Sequence, residues 1–146
     1  MLNKFLLLIP VLLLLAIDYL SKLTAVTLYP FVKNHGIAFG MPIPKPLLIL
    51  LTPALILAII YFFYTEFPKS SLRDTSLSLI LAGALGNYLD RLTYGYVIDF
   101  ISIDIPLPGG STLHYPSFNI ADVYIFLGVL LVLAFYGKIK RTKSKK

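Results

Sequence analysis

The chain has no cysteine at all. Disulfides, thiolate catalysis and cysteine-ligated metals are therefore excluded. Histidine is almost as scarce, with only His35 and His114, and there is no His-Glu-x-x-His pair to hold a catalytic zinc. No Gly-x-Ser-x-Gly elbow occurs, so the common serine hydrolase arrangement is missing too. Ser21-Lys22 has the composition of a serine–lysine dyad. Adjacent residues on a helix point about 100° apart, however, and do not face each other. Charge is sparse, at 14% of 146 residues, and only seven side chains are acidic.

Hydrophobic side chains make up 58% of the chain and mean hydropathy is +0.83, far above a soluble domain of this size. The reading is a single-domain polytopic membrane protein without internal repeats. Four stretches approach the roughly 20 apolar residues that a spanning helix needs. They are 5–26, 46–64, 75–92 and 118–136. The first has the lysine and apolar core of a signal peptide, but Ala16-Ile17-Asp18 is a poor small-x-small cleavage site and the apolar pattern resumes, so an uncleaved helix is expected. Four crossings put both termini on one side with Lys4, Lys69, Arg73 and the basic tail 137–146, whereas Lys33, Lys45 and Arg91 lie opposite. The positive-inside rule then predicts cytoplasmic termini. The net charge of +6 resides largely in that tail, which reads as an anchor for anionic lipid and not as a nucleic-acid surface.

Against this apolar background the acids stand out. An ionisable group at membrane depth costs several kcal/mol and marks function. At a helix rise of about 1.5 Å per residue, Asp18 and Asp122 each lie about 21 Å above the inner face, and Asp90 about 24 Å. Three helices thus bring acids to one outer-leaflet level. Asp99 is set among Val97, Ile98, Phe100 and Ile101 just beyond it. Two carboxylates sharing a site repel, so one keeps its proton while the other ionises. Such a pair can activate water and polarise a peptide carbonyl, which is aspartic proteolysis. Lys22, one turn from Asp18, is expected to pair with it, and Asp90 and Arg91 to offset one another, Arg91 being placed also to meet lipid phosphate or hold Asp122. The competing class is a small transporter or proton-relay subunit using Asp18, Asp90 and Asp122.

The outer segments 27–45 and 93–117 are not plain loops. The first alternates aromatic and polar residues, which suits short surface strands. The second carries the turn Pro106-Leu107-Pro108-Gly109-Gly110, expected as a surface excursion. Tyr29, Phe31, Tyr94, Tyr96 and Tyr115 are expected as interfacial anchors, and His35 and His114 as surface residues.

Five segments in order carry a resemblance. They are Asp18-Tyr19-Leu20-Ser21-Lys22, Asn34 to Gly40, Gly86-Asn87-Tyr88-Leu89-Asp90-Arg91, Gly95-x-Val97-x-Asp99-Phe100 and Phe118-Asn119-x-Ala121-Asp122. From Asp18 to Gly128 the chain resembles the bacterial lipoprotein signal peptidases, which are intramembrane aspartic proteases. The resemblance implies an all-α membrane fold of four transmembrane helices with a small periplasmic β-cradle whose core is Asn34 to Gly40. It implies cleavage of prolipoproteins before a diacylglyceryl-modified cysteine, with Asp99 and Asp122 as the catalytic pair. Asp18, Lys22, Asn34, Gly36, Asn87, Asp90, Arg91, Asn119 and Ala121 would support them. No cofactor, metal or nucleic acid is implied; the partners are lipid-modified prolipoproteins and membrane lipids, for a monomer in the bacterial inner membrane. Ile37 stands where the family often has alanine, and 101–117 is longer than usual.

Overall fold

The computed structural model describes residues 5–36 and 43–144. Lys4, Ile37, Ala38, Phe39, Gly40, Lys145 and Lys146, which figured in the expectations above, lie outside them. Four helices dominate: α1 (Phe5–Leu28), α2 (Lys45–Glu66), α3 (Ser71–Thr93) and α4 (Ile120–Ser144). Four short strands sit at one end. They are β1 (Val32–Asn34), β2 (Val97–Asp99), β3 (Ile101–Pro106) and β4 (Thr112–Phe118).

The helix ends follow from local chemistry. Ser70 caps α3 by accepting from the Arg73 N–H at 3.1 Å, so α3 begins at Ser71 and not at 75. Asp74 in its first turn and Arg91 in its last both complement the helix dipole. Phe118 is paired with Ile101 in the sheet, which delays the start of α4 from 118 to Ile120. Asn119 and Asp122 then cap α4 reciprocally, each side chain accepting from the other's backbone N–H at 3.1 Å. At its far end α4 continues to Ser144, so most of the expected tail is helical. Its lysines and arginine are good helix formers and suit a C-terminus. Pro46 lies in the first turn of α2, where its missing N–H is harmless.

Helix α3 is the hub, packed against the other three helices. It meets α4 through small residues. A Cβ on Gly83 would collide with the Ala121 carbonyl oxygen, one on Gly86 with the Asp18 carboxylate, and one on Gly128 would lie 2.9 Å from the Ser76 carbonyl. The apolar core centres on Val11, Ile56, Phe63, Phe67, Leu77, Ile80 and Leu81.

Burial is inverted relative to a soluble protein. Leu50, Tyr61 and Leu133 are about 70% exposed, whereas Asp18, Lys22, Asp99 and Asn119 are 2% exposed or less. The helical segments Leu7–Leu28 and Lys45–Glu66 are long and apolar enough to cross a membrane, and Ile120–Ala134 is a shorter apolar stretch.

The strands form two separate antiparallel pairs. β1 and β2 pair Val32 with Asp99 and Asn34 with Val97, tying the segment after α1 to the segment after α3. β3 and β4 form a hairpin with an irregular register between Ile101 and Ile103. Its tip closes through the Leu107 N–H donating to the Ser111 carbonyl at 2.8 Å, with Gly109 and Gly110 at φ of +97° and +84°. Only glycine adopts that backbone freely. Most of the strand content thus comes from 97–118, where strands flank the Pro106 to Gly110 turn that was expected as a surface excursion.

Candidate active site

Asp99 ends β2, where its buried neighbours Val97 and Ile98 pack inward. Asp122 lies in the first turn of α4. Asn119, between β4 and α4, joins them. Its side-chain amide donates to Asp99 Oδ1 at 2.7 Å, and its backbone N–H donates to Asp122 Oδ2 at 3.1 Å. A second path runs through α3: Asn119 Nδ2 donates to Asn87 Oδ1 at 3.1 Å, and Asn87 Nδ2 donates to Asp122 Oδ1 at 2.8 Å. Asn34 Nδ2 donates to Asp99 Oδ2 at 2.9 Å, while its Oδ1 accepts from the Gly36 N–H at 2.9 Å. Both oxygens of each carboxylate are therefore held.

Behind this pair lies a buried cation. Lys22 Nζ meets Asp18 Oδ2 at 2.8 Å, Asp90 Oδ2 at 2.9 Å and Asn87 Oδ1 at 3.1 Å, using all three ammonium donors. Asp18 Oδ1 also accepts from the Ala121 N–H at 3.0 Å, and Asp90 from the Ile98 N–H at 3.3 Å. The three acids expected at one level are thus gathered around two amides and one lysine.

One expectation needs correction. The ion pair of Asp90 is with Lys22, across to α1, and not with Arg91, on which Asp122, Asp99 and Asp90 act together as nearby charges. Arg91 instead donates to the Asn87 carbonyl at 3.2 Å and the Gly36 carbonyl at 2.8 Å, drawing the segment after β1 over the site. Its Nε is buried and has no hydrogen-bond partner among the described residues. Ser21 donates to the Asp18 carbonyl at 2.7 Å, which leaves no serine–lysine dyad. On the outer surface the His35 ring lies 5.5 Å from Tyr96, and His114 pairs with Asp104 at 2.8 Å.

Burial, reinforced by the nearby Asp122 charge, pushes Asp99 up to about 6, against the opposing hydrogen bonds from Asn34 and Asn119. A carboxyl titrating near neutrality can donate a proton as well as accept one.

Sequence reasoning missed the hairpin's part in the site. Ile103, Ile105 and Tyr115 line a cavity whose wall includes Asp122. The available signal was the alternation Ile101-x-Ile103-x-Ile105 facing Leu113-x-Tyr115.

A family model described as signal peptidase II matches residues 10–137. The chain belongs to that family. The lipoprotein signal peptidase of Thermodesulfovibrio yellowstonii is 38% identical over 134 residues, covering 87% of this chain and 84% of the relative. That of Clostridium novyi is 37% identical over 108 residues, covering 73% and 70%. Two solved bacterial membrane enzymes, both determined by the in meso method, are similar in structure. One has a TM-score of 0.76 and 26% identity, covering 99% of this chain and 93% of its own. The other has 0.75 and 25%, covering 90% and 92%. The chain shares its fold with these two membrane enzymes, and Asp99 and Asp122 are gathered where its strands meet the start of α4.

Proposed function

We propose that this chain is an aspartic endopeptidase that removes signal peptides from diacylglyceryl-modified prolipoproteins by cutting before the lipidated cysteine. The observation that carries the reading is Asn119 bonded to both Asp99 and Asp122. Asp99, whose carboxyl is pushed up to about 6 by burial, polarises the scissile carbonyl in its protonated form. Asp122 takes a proton from the attacking water as its oxygen bonds to the carbonyl carbon, and returns that proton to the leaving nitrogen as the C–N bond of the tetrahedral species breaks. Asn34, Asn87 and Asn119 hold the carboxylates in place and leave no freedom to lose at the transition state.

The four helices cross the inner membrane with both termini in the cytoplasm, and the strands cover the site on the periplasmic side as a cradle. The charge distribution, the exposed leucine surface and the common level of Asp18, Asp90 and Asp122 support this orientation. The site is built within one chain, which suits a monomer. A proton relay would need a polar path through the bilayer, yet the opposite end is packed with Phe62, Phe63, Phe67 and Tyr136.

Processing of a lipidated precursor by the reconstituted protein, followed by gel shift, tests the reading. Asp99→Asn and Asp122→Asn should insert and fold but lose nearly all cleavage. Substantial residual activity in either variant removes the dyad assignment.

A further inference from the structure

The β3–β4 hairpin has two unlike faces. Across one, Ser102 and Ser117 share a hydrogen bond at 2.9 Å, and Asp104 meets His114 at 2.8 Å. The other is apolar: Ile103 is opposite Tyr115 and Ile105 is opposite Leu113. These four are 44–51% exposed, so none of the described elements covers that face. It overhangs a cavity of about 380 Å³, to which the hairpin contributes Ile103, Ile105, Tyr115 and Phe118. The floor is the first turn of α4, with Val123 and Phe126, and the polar side chain at its end is Asp122. From there an apolar stripe continues along α4 through Phe126, Leu130 and Leu133, all 47–69% exposed. Successive members are one turn apart, so the stripe starts directly next to the acid.

We infer that this groove holds an acyl chain of the substrate's diacylglyceryl group, the hairpin acting as a lipid-reading wall beside the cleavage site. The inference rests on the peptidase reading and deepens it. Two properties of the groove select a hydrocarbon over a peptide. An extended peptide would bring backbone N–H and C=O groups against isoleucine, valine and phenylalanine side chains that cannot meet them, which is unfavourable. An acyl chain has no such groups. Position agrees: the lipid is attached to the residue whose peptide bond is cut, so its chains must leave the site within a few ångströms of the dyad. The groove starts at Asp122 and leads onto the apolar outer face of α4. Chain burial there rewards long acyl groups over short ones, giving selection by lipid and not by peptide sequence.

The test uses synthetic precursor peptides carrying either a dipalmitoyl- or a dibutyryl-glyceryl cysteine, with the protein in nanodiscs of phosphatidylethanolamine and phosphatidylglycerol. The wild-type chain should prefer the dipalmitoyl precursor in kcat/KM by on the order of tenfold or more. The double variant Ile103→Ser, Ile105→Ser should bring that ratio close to one by slowing only the long-chain precursor. Asp104→Asn, on the opposite face, should leave the ratio alone. Equal slowing of both precursors would assign the groove to the peptide and overturn the inference; an unchanged ratio would overturn it as well. A second readout needs no turnover. A precursor with a photoactivatable acyl terminus, bound to the Asp122→Asn variant, should crosslink within 101–118 or at Val123 and Phe126. Crosslinks confined to other segments overturn the acyl site whatever the activity. Failure of the wild-type chain to cut either precursor would instead count against the peptidase reading.

Discussion

The Asn119 side-chain amide donates to Asp99 at 2.7 Å, and this bond ties the end of β2 to the start of α4. The same residue caps α4 in reciprocal exchange with Asp122. One asparagine therefore fixes the position of both acids and the entry angle of the helix that carries one of them. Nothing in the strand pairs alone would hold β2 against α4 in this way.

Asn119→Ala should separate these roles. Loss of the cap costs about 1 kcal/mol, a modest drop in melting temperature. Release of Asp99 misplaces a reacting group, and a shift of about 1 Å can cost roughly 100-fold in rate. A fall in kcat far larger than the stability loss is the expected outcome, read from cleavage kinetics beside thermal unfolding in detergent. Proportionate losses would reduce Asn119 to a cap.

The pH profile follows from Asp99. With its carboxyl pushed up to about 6 and needed in the protonated form, kcat/KM should fall as pH rises through about 6, as a macroscopic value of the pair. The Asn34 hydrogen bond works against this shift. Asn34→Ala should therefore move the alkaline limb upward. A downward move would contradict the assignment of the limb to Asp99.

Stability should show the opposite side of the same shift. The folded chain holds the Asp99 proton more tightly than the unfolded chain, whose carboxyl titrates near 3.8. Between pH 3.8 and about 6 the unfolded state loses its proton first, so stability declines across that window and the full penalty applies above it. At about 1.36 kcal/mol per unit the penalty is about 3 kcal/mol. Asp99→Asn should accordingly melt higher than wild type at pH 7.5, with the difference vanishing below pH 4. Equal melting curves at both pH values would contradict the burial argument.

Much of this was legible in the sequence because the membrane exaggerates the contrast on which such reading depends. Asp18, Asp90 and Asp122 stood out since a carboxylate in apolar sequence has few innocent explanations, and helix rise alone aligned them. The Asp18–Lys22 pair followed from i,i+4 geometry. The partner of Asp90 did not, since Lys22 lies 68 positions away on another helix and only tertiary packing of α1 on α3 brings them together. Arg91, the obvious neighbour in sequence, faces Gly36 instead. The hairpin was hidden for a different reason. Its alternation of isoleucine with serine and aspartate was present, but Pro106 to Gly110 read as a loop and masked the strands on either side.

Helix contact makes a further prediction. Gly83 faces the backbone of Ala121, which cannot rotate away, so Gly83→Ala must push α4 outward. Overpacking of this kind costs about 1–3 kcal/mol. Because Ala121 adjoins Asp122, cleavage should fall together with the melting temperature. Alanine at Gly109 meets no atom within 4 Å and strains only the turn, so it should leave cleavage almost intact. Similar effects from the two would argue that the α3–α4 contact does not position the site.

Lys22 offers the sharpest separation of structure from chemistry. Its ammonium is 2% exposed as a residue and satisfies Asp18, Asp90 and Asn87 together. Lys22→Met strands two buried carboxylates without a counter-charge, and breaking a buried pair in this way costs about 3–5 kcal/mol. The single variant should therefore fail to reach the folded state or melt far below wild type. Removing the acids' charges at the same time, in the triple variant Lys22→Met, Asp18→Asn, Asp90→Asn, should restore folding, since neutral amides no longer require the cation. Cleavage should not return in full. Asn87 loses the Lys22 donor on its Oδ1, and its amide is then held on that side by Asn119 alone. With less to fix its orientation, Asn87 loosens its grip on Asp122, and kcat should stay roughly tenfold or more below wild type while the melting temperature recovers. Recovery of both would make the lysine a purely structural counter-ion; recovery of neither would mean the buried charges are themselves needed to fold the bundle.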